Sequence, residues 1–153
     1  MKNIFLILIL STVYSAVLSQ QITYSQPESQ DTRSLDFEII GKIQDNFLIY
    51  KNVRNNYAIC TYDNSMRLID RVDLRFMPDK ILNIDFISFP DFAWIIYQYQ
   101  KRNIVHCVAV KIHANGTLFS DPKDMDTTYL NFFADHKIYS TIYSEDKDRK
   151  SVV

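Results

Sequence analysis

From Leu35 onward, short apolar runs alternate with Asn-, Asp- or Gly-rich turn signals about every eight to twelve residues. No window of helical length carries a sustained i, i+3, i+4, i+7 apolar stripe. That rhythm restricts the chain to an all-β fold. Composition agrees: aromatics make up 14%, with ten Tyr and ten Phe, against two Gly. Tyr, Phe, Ile and Val suit a pleated, half-buried surface. The spacing predicts strands over 36–41, 47–52, 57–62, 67–74, 81–88, 92–100, 104–112, 117–120, 128–133, 137–144 and 149–153.

The rhythm also repeats. The stretches YDNSMRLI (62–69) and IHANGTLF (112–119) each set a tight polar pair, Asn64-Ser65 or Asn115-Gly116, between apolar runs. Asn-Gly is the strongest short hairpin signal, and it accounts for Asn115-Gly116-Thr117 without a glycosylation reading. QDNFLIY (44–50), PDFAWIIYQY (90–99) and ADHKIYSTIY (134–143) are each led by an aspartate. These are Asp45, Asp91 and Asp135, spaced 46 and then 44 residues apart. The unit reads as four strands: the Asp-led strand, a hairpin partner, a third strand after the polar turn, and a returning fourth.

A four-stranded repeat of roughly 40–50 residues is the signature of a β-propeller blade. One such sheet cannot bury both faces alone, whereas stacked sheets can. The expected fold is all-β, with antiparallel four-stranded repeat units forming a partial β-propeller of about two and a half blades. A β-sandwich or barrel is the alternative. LDFEIIG (35–41) reads as the outer strand of a last blade whose other strands are missing. The third copy, KIYSTIYSEDKDRKSVV (137–153), stops inside its second strand. The chain therefore reads as an N-terminal fragment of a larger protein, not closed or stable by itself.

The layout resembles exported β-propeller-like repeat proteins of bacteria, many of them uncharacterised. The resemblance covers Leu35 to Val153 and rests on the Asp-led strands and the two hairpins. There is no Trp-Asp dipeptide, Gly-Gly pair or Asp-box of the propeller families with assigned chemistry, so no functional residue is carried over.

The first 21 residues, MKNIFLILILSTVYSAVLSQQ, have one Lys, a short apolar run and then small residues. This is a secretory signal peptide pattern. Val17 and Ser19 place cleavage before Gln20. The apolar run is too short and broken for a membrane anchor, which needs roughly 20 apolar residues. The organisation is thus 1–19 signal peptide, 20–34 flexible leader and 35–153 repeats, with no membrane span after cleavage. The expected location is the periplasm, cell surface or extracellular space. The net charge of −1 gives no field for nucleic acid. Export permits a disulfide, but Cys60 and Cys107 each sit in an apolar strand pattern and read as small buried hydrophobes.

Candidate chemistry is sparse. His106, His113 and His136 have no metal-ligand spacing. Asp121, Asp124 and Asp126 in SDPKDMDTT lack the regular pattern of a Ca²⁺ loop and read as a solvated loop. Cys107 follows His106 directly, but adjacent strand residues point to opposite faces. Trp94 and the other aromatics read as core rather than a sugar platform. The repeated positions Asp45, Asp91 and Asp135 read as turn caps, and they are the best candidates for a shared role. No catalytic residue, metal or cofactor is expected. The function expected is an exported binding or scaffold module for a protein or glycan ligand, or else part of a propeller enzyme acting on glycans or peptides.

Overall fold

The computed structural model describes residues 22–25, 27, 34–143 and 150–152. The signal peptide, its cleavage point and most of the leader lie outside them, as does the 144–149 portion of the final charge run.

The first sheet holds β1 (Leu35–Ile43), β2 (Asn46–Val53), β3 (Asn56–Tyr62) and β4 (Leu68–Asp73). The second holds β5 (Asn83–Ser88), β6 (Phe92–Lys101), β7 (Ile104–His113) and β8 (Lys123–Tyr129). β9 (Thr141–Tyr143) and β10 (Lys150–Val152) pair with each other. Each four-stranded sheet is an antiparallel meander in sequence order. The architecture is all-β, with two four-stranded antiparallel sheets.

Burial explains the strand order. In β3, Tyr57 to Tyr62 are all buried, and β6 and β7 each have four consecutive buried residues. Strands covered on both faces read as apolar runs rather than alternations. β4 and β8 are edges, and β8 (KDMDTTY) is almost wholly exposed. Charged side chains on an edge oppose pairing with other chains.

Several sequence expectations need correction. The predicted strand 117–120 is reduced to a single bridge, Ile112 to Leu118. The returning fourth strand is β8, within the stretch read as a solvated loop, and the predicted 128–133 strand overlaps only its last two residues. Apolar pattern could not find it, because an edge strand can be held by backbone pairing to β7 alone. LDFEIIG is not an outer strand lacking its sheet; it pairs with β2 along its length. Each sheet thus begins one strand earlier than the Asp-led strand.

The two sheets stack. One core lies between them, built from Leu48, Tyr50 and Ile59 of the first sheet and Ile95, Val110 and Ile112 of the second. A second core lies on the far face of the second sheet, where Ile96, Cys107 and Ala109 meet Ala134 and Tyr139. Residues 130–140, between β8 and β9, form that cover. Matching positions reveal the relation between the sheets. The turn after β3 bonds Met66 N to Asp63 O and Asp63 N to Arg67 O. The turn after β7 bonds Gly116 N to His113 O and His113 N to Thr117 O. Ile59 of the first sheet therefore matches Ala109 of the second. Ile59 faces the second sheet, whereas Ala109 faces away from the first. The sheets stack head to tail, not face to face.

Both glycines sit where the sheets touch. Gly41, at φ 141, is so close to β5 that a Cβ would lie 3.1 Å from Ser88 Oγ. Gly116, at φ 80, presses on β3, where a Cβ would lie 2.8 Å from Ile59 Cγ2. Only glycine gives both the positive φ and the close approach.

Candidate functional site

Two of the three expected site residues lie on adjoining turns, and the third lies apart. Asp45 and Asp91 occupy matching, exposed turns, β1–β2 and β5–β6, and these turns are joined by Gln44 N donating to Pro90 O at 2.9 Å. Asp135 is elsewhere: it lies in the β8–β9 connection, exposed beside His136. The His136 contact holds its carboxyl below the usual range. The caps that close turns are Asn52, Asp63 and Asn115, whose side-chain oxygens accept from Asn55 N, from Ser65 N and Arg67 N, and from Thr117 N respectively.

The other candidates are structural. His106 stacks on Tyr99 with centroids 4.8 Å apart, and its Nδ1 is 3.5 Å from Asp124. Cys107 lies on the opposite face, in the second core. Neither cysteine is in a disulfide, and both are buried, on different sheets. Burial, then Asp126, Asp85 and Asp124, push the Cys107 thiol up to about 11. Among the described residues, no group of His, Cys, Asp and Glu is arranged to hold a metal ion. Tyr50 and Tyr97 are core, and Trp94 packs against the second core. Lys111 is sandwiched between the Phe92 and Phe119 rings, at 3.7 and 4.2 Å from their centroids.

One arrangement escaped the sequence reading. β1 packs beside β5, and a cleft of about 320 Å³ opens between the first sheet and the start of β5. Glu38 pairs across from Tyr50, and Asp36 from Asn52, which brings all four onto one face. Asn83 lies across from them. Among the described residues, no lysine or arginine lines this cleft. Burial, then Asp85 and Asp36, raise the Glu38 carboxyl above its ordinary value. Tyr50 is 1% exposed, and its hydroxyl has no hydrogen-bond partner among the described residues. Burial first, then Tyr57, Asp36 and Glu38, raise that phenol.

Glu38 has a counterpart. Tyr50 stands where Ile96 stands in the second sheet, and Ile96 pairs across from Asp85. Asp85 accepts from Asn83 Nδ2 at 2.9 Å and from Thr141 Oγ1 at 3.0 Å. Each first strand therefore carries a carboxylate at the matching position. The irregularity between Ile39 and Gly41 puts this pair one residue out of step with the Asp45–Asp91 spacing, which hid it.

A larger cleft of about 530 Å³ lies by the β2–β3 turn and β4. Two of its polar side chains are already engaged: Arg71 Nε is 3.3 Å from Asp73, and Tyr57 OH donates to Asp79 O. No helix among the described residues is long and apolar enough to cross a membrane. No protein-family model, curated protein or solved structure matches the chain.

Proposed function

We propose that this chain is an exported binding or scaffold module built from β-propeller-like repeats, belonging to a larger protein and recognising a protein or glycan ligand. The observation that carries the repeat reading is the head-to-tail stacking. In such stacking, the face one sheet offers to its neighbour is the face that neighbour offers onward. A head-to-tail interface generates rings or open arrays rather than a closed pair. The placement of β1 beside β5 also supports it, since the first strands of successive blades converge on one axis. A sandwich of two sheets has no need of this repeated relation. The signal-like leader supports export.

The binding function draws on the inner cleft, which has unpaired charge and an unused hydroxyl but no arranged nucleophile and base. The test combines fractionation, N-terminal sequencing and arrays of glycans and peptides. The expected result is protein outside the cytoplasm, beginning at Gln20, that binds saturably without cleaving what it binds. Cytoplasmic protein beginning at Met1 overturns export, and turnover of an arrayed glycan or peptide overturns the module in favour of an enzyme.

A further inference from the structure

We propose that the cleft between β1, β2 and β5 binds a primary alkylammonium group. Asp36 and Glu38 take the charged head, and Ile81, Leu82 and Ile84 take the methylene stem. The proposal rests on the binding-module reading and gives that module a ligand chemistry.

Three observations converge. The first is charge: two carboxylates line the cleft, a third, Asp85, lies close enough to raise Glu38, and among the described residues no basic side chain lines it. A cation restores the balance that a neutral sugar leaves unmet. The second is the Tyr50 hydroxyl, which is buried and unpartnered on the wall that carries these carboxylates. A buried polar group without a partner is costly, so native structures satisfy nearly all of them. An ammonium has three donors and no acceptor. It suits a site whose groups are carboxylate oxygens, the side-chain carbonyl of Asn83, whose amide nitrogen already donates to Asp85, and a phenol oxygen. The third is shape: apolar Ile81, Leu82 and Ile84 line the cleft beside the acids. Alkylammonium stems lie along apolar surface while their heads seek charge. A divalent metal fits less well, because among the described residues no ligand group has the arrangement to hold one.

The test uses the full chain labelled with nitrogen-15 and titrated with n-butylammonium chloride. KCl at matched ionic strength and n-butanol serve as controls. The side-chain amide signals of Asn52 and Asn83 should shift saturably with butylammonium and with neither control. The double variant Asp36→Asn/Glu38→Gln should weaken binding at least about tenfold, the scale of a lost charge-assisted contact. Tyr50→Phe should weaken binding without lowering Tm, because it removes a hydroxyl that bonds to nothing in the unliganded protein. A peptide with one internal lysine, titrated in parallel, separates two sources of the same head group. Tighter binding than butylammonium assigns it to a partner's side chain, and equal binding assigns it to a small amine.

Absence of a shift, an equal shift with butanol, or unchanged binding in the double variant overturns the proposal. So does Ca²⁺ that displaces butylammonium from the same amides. These signals report the cleft whatever the cellular location of the protein, so this proposal and the export reading fail separately.

Discussion

Met66 and Gly116 occupy matching turn positions, with φ values of 55 and 80. A non-glycine residue in the left-handed region costs about 1–2 kcal/mol. Met66→Gly should therefore stabilise the protein by roughly 0.5–1 kcal/mol, after subtracting glycine's own entropy cost in the unfolded chain. Gly116→Ala should cost roughly 2 kcal/mol or more, because strain adds to the contact with Ile59. Urea unfolding of the two variants checks both signs, and equal effects would remove the sheet-contact role of Gly116. Glu38 gives a pH prediction. Its folded pKa is raised, so the folded state holds the proton more tightly than the unfolded state. Stability from this group is present below the ordinary glutamate pKa and is lost as pH rises through the raised value. Water still reaches Glu38 and screens its charge, so the effect is small. Glu38→Gln should raise Tm at pH 7 and leave it unchanged near pH 3.5. A gain that is the same at both pH values would mean that its origin is not ionisation.

The β6 segment Tyr97-Gln98-Tyr99-Gln100 does work that its pattern did not announce. Gln98 is 1% exposed. It donates Nε2 to Tyr139 O at 2.7 Å and accepts Ile138 N and Tyr139 N on Oε1, both at 2.9 Å. Gln100, on the same face, donates to Phe132 O and accepts from Ala134 N. Two side-chain amides thus stand in for a strand edge and fasten the 130–140 connection over the second core. Replacing Gln98 by Leu strands backbone groups in that core, at about 1–3 kcal/mol for each unsatisfied group. Hydrogen exchange should then show the amides of Ile138 and Tyr139 losing protection while β3 keeps its own. Unchanged protection would remove the clamp. The strands that bury apolar runs, β2, β3, β6 and β7, were legible in the sequence because burial writes itself as Val, Ile, Tyr and Phe. The edge strand β8 was not, since its hydrogen bonds belong to the backbone and its side chains to water. The inner cleft was illegible for a related reason. Asp36, Glu38 and Asp85 are ordinary acids along the chain, and only the irregularity in β1 and the stacking of two sheets align them. Asp135 illustrates the converse, as a regular spacing led to a position in a different part of the fold.

At the scale of the whole molecule, head-to-tail stacking leaves two different end surfaces, the outer side of the first sheet and the 130–140 cover over the second. On the first sheet this face includes Phe37 and Ile39, which are 59% and 63% exposed and pair across from Lys51 and Ile49. Beyond the second sheet, Phe132 and Phe133 of the covering connection are 61% and 84% exposed. Apolar area buried on association contributes about 25 cal/mol per Å², so such faces favour their own kind in the absence of other cover. Because the contact is head to tail, association does not stop at a symmetric dimer. Sedimentation velocity should therefore show weight-average mass rising continuously with concentration, accompanied by binding of a hydrophobic dye. Ile39→Lys places a charge in one of the two faces and should suppress both signals. It should leave Tm nearly unchanged, since Ile39 is not part of the core between the sheets. The thiols give an internal control for intact folding: native protein should expose neither Cys60 nor Cys107 to a thiol reagent, and denatured protein should titrate both. A monodisperse monomer at all concentrations, with no dye bound, would mean that the end faces are covered within the chain, and the open-ended stacking argument would fall with it.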